Sequence, residues 1–197
     1  MKSASTELKA IKGDLKRYAF VLFGFIAVLW GLEVVDIVLG QSLNGLGIRP
    51  RTTAGLIGVV LHPLLHGGLG HLFGNTIGIL IFGWMVMLRE ESHFYAVTGL
   101  TWLIGGLGTW LVGATDSVHI GASGLVFGYF GYLLLAGFFE RRFFSLLLSV
   151  LVLFAWGGMI FGVLPGQAGI SWEGHLFGFL AGVLSAKILA KKPAADD

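Results

Sequence analysis

Six apolar runs separated by short polar breaks constrain this chain more than any other feature. They fall at about Tyr18–Leu39, Leu69–Leu88, Tyr95–Val112, Ala122–Phe139, Phe143–Leu164 and Ile170–Leu189. Crossing roughly 30 Å of hydrocarbon takes about 20 helical residues, so each run is long enough to span a bilayer. In lipid the backbone must satisfy its own hydrogen bonds, which leaves helices or closed barrels, and unbroken runs of this length select helices. Composition agrees. Of 197 residues, 55% are hydrophobic and 12% charged, against about 25% charged in an ordinary soluble domain. A mean hydropathy of +0.85 is more than the core of so small a globule can hide. The expectation is an all-α polytopic membrane protein: a cytoplasmic segment 1–17, a six-helix membrane domain 18–190 with a long outer loop at 40–68, and a short cytoplasmic tail 191–197. With no cysteine, a disulfide-stapled secreted module is excluded.

The net charge of +2 and pI near 9.0 invite a nucleic-acid reading, which the placement of the charges removes. With six spans both termini share one side. That side holds Lys2, Lys9, Lys12, Lys16, Arg17, Arg89, Arg141, Arg142, Lys187, Lys191 and Lys192, eleven of the 13 basic residues, leaving only Arg49 and Arg51 opposite. The excess of basic residues on cytoplasmic loops then puts both termini in the cytoplasm of a multi-pass cell-membrane protein. A bare core with short tails has a bacterial look by analogy alone. The basic charge is topology, and no nucleic-acid partner is expected; the surrounding bilayer is.

Ionisable and strongly polar groups inside spans are costly and mark the first places to look for function. The second run carries His71 and Asn75, four apart and on one helix face. The fourth opens with Gly121-Ala-Ser-Gly124, placing Ser123 at a helix N-terminus, and the sixth carries His175 within Gly174-His-Leu-Phe-Gly178. All lie toward the outer ends of their helices. Each has an ordinary reading: a packing hydroxyl, an interfacial imidazole, a packing amide. Together, a hydroxyl, an imidazole and two further donors at matched depth are the parts of an acyl-transfer site. Glycines at four-residue spacing (Gly74 and Gly78; Gly124 and Gly128; Gly174, Gly178 and Gly182) mark faces where neighbouring backbones can approach.

His71-Leu-Phe-Gly-Asn75, Gly121-Ala-Ser-Gly124 and Gly174-His-Leu-Phe-Gly178, in this order on the second, fourth and sixth helices, resemble the rhomboid intramembrane serine proteases. The resemblance covers about residues 18–190. It implies a serine endopeptidase without cofactor or metal that cuts transmembrane protein substrates. By it Ser123 is the nucleophile, His175 the general base, and His71 and Asn75 stabilise the oxyanion with the Ser123 backbone N–H. It also sets Arg49 or Arg51 beside the family's first-loop arginine, and Phe127 where some members carry a tyrosine under the histidine.

Other functions remain open at this stage: a catalytically inactive rhomboid-like protein that binds membrane clients, or a channel or transporter using His71 and His175 as a proton path. No His-Glu-x-x-His pair supports a zinc protease, and Asp36 and Asp116 lack the setting of an aspartyl one. Glu33 and Asp36 share a face of the first run, with Arg49 or Arg51 as candidate partners. Ser171, four residues before His175, is the reserve nucleophile. The glycine-rich stretch 162–171 suits either a mobile cap or an ordinary turn. Client and oligomeric state are not written in the sequence.

Overall fold

The computed structural model describes residues 4–167 and 169–190. Lys2, Lys191, Lys192 and the acidic tail 194–197 lie outside them. Among the described residues, six long helices follow one another: α1 (Ala4–Val38), α2 (Leu69–Arg89), α3 (Glu91–Val112), α4 (Ser123–Glu140), α5 (Phe143–Trp156) and α6 (Trp172–Leu189). The described residues contain no strand, only an isolated antiparallel bridge between Ile48 and His119. Five helical segments are long and apolar enough to cross a membrane, α5 qualifying together with the tight 3-10 stretch Gly157–Val163 that prolongs it. The sixth helix has the length, but Glu173, His175 and Lys187 hold its hydropathy down.

Helix α1 begins about four turns earlier than the apolar run, because Ala4–Arg17 is polar yet rich in helix formers. The connection 40–68 contains a 3-10 turn at Leu43–Leu46, a short helix at Leu56–Leu61 and another 3-10 turn at His62–Leu64. Helices α2 and α3 each contain one widened π turn, Ile79–Gly83 and Thr101–Gly105. Single π turns re-aim the side chains on either side of them without breaking a helix.

Helix α4 is the central stave, with most of its length buried, whereas α5 lies outside and is mostly exposed. Phe143, Phe144 and Phe154 stand 74%, 82% and 92% exposed, a surface that only lipid or a partner could cover at low cost. Around α4 pack Leu72, Ile79, Phe82, Leu22 and Val152, with Tyr129, Phe130, Tyr132 and Leu133 contributed by α4 itself. At one end of the bundle Arg89 meets Glu140 at 2.7 Å, and Ser145 donates to the same carboxylate, tying α2, α4 and α5 together.

The closest contact is between α4 and α6. A methyl group at Gly178 would overlap the Gly124 carbonyl oxygen, one at Gly182 would overlap that of Gly128, and one at Gly131 would sit 2.5 Å from the Phe179 oxygen. Backbone therefore rests on backbone along this seam. The α2 glycines divide differently from expectation. Gly78 packs against Val126, but Gly74 has nothing within 4 Å and lines a cavity instead.

Glu33 and Asp36 do not meet the candidate partners Arg49 and Arg51. Both acidic residues are 2% exposed. Asp36 accepts the Leu43 N–H at 2.7 Å, and among the described residues no arginine reaches Glu33. Arg51 instead donates to the Leu111 carbonyl at 2.8 Å. The loop carries Arg51 to the end of α3, while the Arg49 guanidinium lies near Gly45.

Candidate active site

Ser123 is the first residue of α4, where the opening N–H groups of a helix have no acceptor within it. The segment leading into it is held from the outer loop. Gly121 N–H donates to the His62 carbonyl at 2.8 Å, and Ala122 N–H points at His66 Nε2 at 3.4 Å. Gly121 has φ +112°, and a side chain there would lie 2.6 Å from His71 Nε2, so only glycine fits. Burial holds His62 and His66 down to about 4, so the His66 ring stays a neutral acceptor near neutral pH, while the His62 ring donates from Nδ1 toward the Gly58 and Val59 carbonyls.

His175 lies one turn into α6. Its Nε2 is 2.8 Å from Ser123 Oγ and its Nδ1 is 3.0 Å from the Gly162 carbonyl. A carbonyl can only accept, so Nδ1 carries the proton and Nε2 is left to accept from the serine hydroxyl. The ring stacks on Phe127, with centroids 4.1 Å apart and planes 14° from parallel. Gly162 is also fixed by space: a methyl group there would strike Phe127 Cζ at 2.7 Å.

His71 and Asn75 converge on Gly121, two residues before Ser123; the side chain imagined at Gly121 would lie 3.5 Å from Asn75 Nδ2. Asn75 is 6% exposed and its Nδ2 has no partner among the described residues. Buried amide donors are seldom left unpaired, and this one faces the same space as Ser123. Gly67 N–H approaches His71 Nδ1 at 3.5 Å, which leaves Nε2 as the protonated nitrogen. Ser123, His175, His71 and Asn75 all line one cavity of about 760 Å³.

The structure thus brings together the four residues singled out from the sequence. Arg49 and Arg51 do not line the cavity. Ser171 does, but its hydroxyl turns away from His175: it caps α6 by accepting from Gly174 N–H at 3.3 Å and meets His119 Nδ1 at 2.6 Å. Three contributors escaped the sequence: the Gly162 carbonyl, His66 and His119. A histidine spaced four before Ser123 and another five before His71 were the available signals for the last two. The part of 162–171 nearest α5 is a support for His175, whatever its mobility.

In chemical terms this is a hydroxyl beside a neutral imidazole acceptor, with donors grouped on the far side of a polar cavity among apolar helices. The Rhomboid domain, as a family, matches residues 53–192. An uncharacterized protein of Mycobacterium tuberculosis is 44% identical over 174 residues, covering 84% of this chain and 72% of that protein. An uncharacterized protein of Mycobacterium leprae is 41% identical over the same length, with 84% and 69% covered. YdcA of Bacillus subtilis, named as a candidate rhomboid protease, is 30% identical over 132 residues, 66% of this chain and 65% of its own.

Proposed function

The chain belongs to the rhomboid family, and from that premise we propose that it is an intramembrane serine protease acting through Ser123 and His175. It hydrolyses peptide bonds in or near the transmembrane segments of other membrane proteins. Helix α6 is the sixth span, both termini are cytoplasmic, and the cavity opens toward the outer face of the cell membrane.

The observation that carries this reading is the directed chain from Ser123 Oγ–H to His175 Nε2 and from His175 Nδ1–H to the Gly162 carbonyl. An isolated serine hydroxyl is a poor nucleophile until a base takes its proton. As Ser123 Oγ bonds to the substrate carbonyl carbon, its proton passes to His175 Nε2 and the carbonyl π pair moves onto oxygen. His71 Nε2–H, Asn75 Nδ2–H and the Ser123 N–H face that oxyanion. The imidazolium then protonates the departing amine, the C–N bond breaks, and an acyl-serine remains. Water attacks it with His175 again as base, returning the proton to Ser123 Oγ as the acid leaves. The backbone carbonyl of Gly162 does the orienting that a carboxylate does in three-residue sites.

The substrate must unwind before any of this. A helix keeps its peptide bonds in its own hydrogen bonds, and in lipid each unsatisfied backbone group costs several kcal/mol. Spans carrying glycine or proline near the outer face are therefore the favoured clients.

The test is cleavage of a generic single-span substrate in proteoliposomes, with fluorophosphonate labelling in parallel. The native chain should cut and be labelled at Ser123, and Ser123→Ala and His175→Ala should do neither. Labelling that survives Ser123→Ala or moves to Ser171 overturns the assignment. Client binding without any cleavage would identify an inactive relative, and ion flux indifferent to Ser123→Ala a transporter.

A further inference from the structure

The two chain segments that meet at Ser123 and His175 meet a second time one helical turn away. His119 Nδ1 lies 2.6 Å from Ser171 Oγ and His175 Nε2 lies 2.8 Å from Ser123 Oγ, and the partners are 52 residues apart in both pairs. The chain therefore crosses itself twice in one register, with serine and histidine exchanged between the two rungs. We propose that the His119–Ser171 rung is a pin that sets the distance between Ser123 and His175, with His119 a positioning residue acting through Ser171; this rests on the protease reading above.

Hydrogen-bond directions make the rung rigid. Ser117 Oγ–H donates to the Ala114 carbonyl at 2.6 Å, so Ser117 Oγ accepts from His119 Nε2–H at 2.7 Å. His119 Nδ1 is then an acceptor, and Ser171 Oγ–H is its donor. The Ser171 oxygen also takes the Gly174 N–H. The His119 backbone is fixed as well, its N–H and carbonyl both pairing with Ile48 at 2.9 Å. An imidazole 7% exposed and bonded at both ring nitrogens cannot drift.

The pin has a job that the glycine seam leaves undone. Gly124, Gly128, Gly178 and Gly182 fix the separation of α4 and α6 on the inner side of the site. On the outer side α6 follows a link in which Gly166 and Gly169 have φ +102° and +76°, a backbone with little stiffness of its own. The rung is the side-chain tie between the loop entering α4 and the cap of α6. It is not a second nucleophilic pair: the Ser171 oxygen is occupied by Gly174 N–H, and His71 and Asn75 converge on Gly121 rather than on Ser171.

The experiment uses the full chain in liposomes, reading kcat, KM, fluorophosphonate labelling, thermal unfolding and amide hydrogen exchange at 120–123. His119→Phe keeps a ring and loses the acceptor; His119→Asn places an amide oxygen where Nδ1 was. His119→Phe and Ser171→Ala should each lower kcat and labelling about tenfold, part of the loss that a 1 Å misplacement brings, with KM within about twofold. The double variant should be no worse than Ser171→Ala alone, because that single already lacks the His119 bond along with the Gly174 cap. His119→Asn should recover most of the rate and of the exchange protection. Multiplying losses, a raised KM at native kcat, or an Asn variant no better than Phe would each overturn the pin. Should the Phe variant not fold, Asn against Gln decides, since Gln carries its amide to the Nε2 position and should stay slow. A native chain without Ser123-dependent labelling overturns the protease reading instead, and hydrogen exchange then still reads the pin by itself.

Discussion

On the protease reading, replacing Gly178 by alanine should slow catalysis far more than it unfolds the chain. The added methyl would overlap the Gly124 carbonyl oxygen, and ordinary contact begins at 3.4 Å, so α6 must retreat from α4 by about 1 Å. Gly124 follows Ser123 directly, and Gly178 lies three residues beyond His175. A retreat of that size takes the 2.8 Å Ser123–His175 hydrogen bond beyond bonding distance. Overpacking costs about 1–3 kcal/mol, but alanine regains roughly 1 kcal/mol over glycine in a helix interior. The net loss of stability is then at most about 2 kcal/mol, while a 1 Å misplacement costs on the order of 10² in rate. The assay is the second-order rate of fluorophosphonate labelling, with thermal unfolding measured on the same detergent-solubilised samples. Gly99→Ala is the control: nothing lies within 4 Å of the new methyl, so neither quantity should fall. Native labelling of Gly178→Ala, or an equal loss in Gly99→Ala, would refute the backbone-on-backbone account of how the pair is held.

Asn75→Ala should leave thermal unfolding within about 1 kcal/mol of native, because Nδ2 gives up no protein hydrogen bond, yet lower kcat by about 10²–10³ with little change in KM; an unaltered kcat would remove Asn75 from the oxyanion site. Stability should fall with acid between about pH 6.5 and pH 4: His62 and His66 are held down to about 4 in the fold, so the unfolded chain binds more protons in that window. Their contribution, a few kcal/mol at most, is complete above about pH 6.5 and lost as pH falls to about 4, and a flat unfolding profile across that range in micelles would contradict it. The chain has no cysteine, so single-cysteine labelling in intact cells reads topology directly. Asp116→Cys should react with an impermeant maleimide and Arg142→Cys should not; the reverse pattern would invert the protein in the membrane.

Ser123, His175, His71 and Asn75 were legible because polar groups are expensive among apolar runs, so a few of them stand out against that background. Their convergence was legible only in part. Four-residue glycine spacing identified the α4–α6 seam correctly, but the same spacing in α2 misassigned Gly74, since a glycine that makes room for a neighbour and one that makes room for a cavity look alike in sequence. Hydropathy located α1 from Tyr18 onward and missed its start at Ala4, because hydropathy measures what lipid tolerates and helix propensity does not depend on it. The same measure undercounts α6, because Glu173, His175 and Lys187 lower the mean hydropathy of a helix that is otherwise apolar. His119 was passed over because it lies in a connection between spans, where a histidine carries no desolvation cost to make it conspicuous; it is held by Ile48 and Ser171, remote in the chain.

The orienting partner of His175 has no codon. A carboxylate in that place could be deleted by one nucleotide change and would carry its own ionisation; the Gly162 carbonyl can be neither substituted nor protonated under any condition the protein survives. On the protease reading, saturation mutagenesis scored by activity would report Ser123 and His175 and pass over their third companion, registering it only as an intolerance of side chains at Gly162, where any Cβ meets Phe127. The alignment of the base is thus shielded from mutation in a way its chemistry is not. Over evolutionary time a chain of this kind can forfeit activity by losing a hydroxyl or an imidazole while retaining the backbone cradle in which they sat.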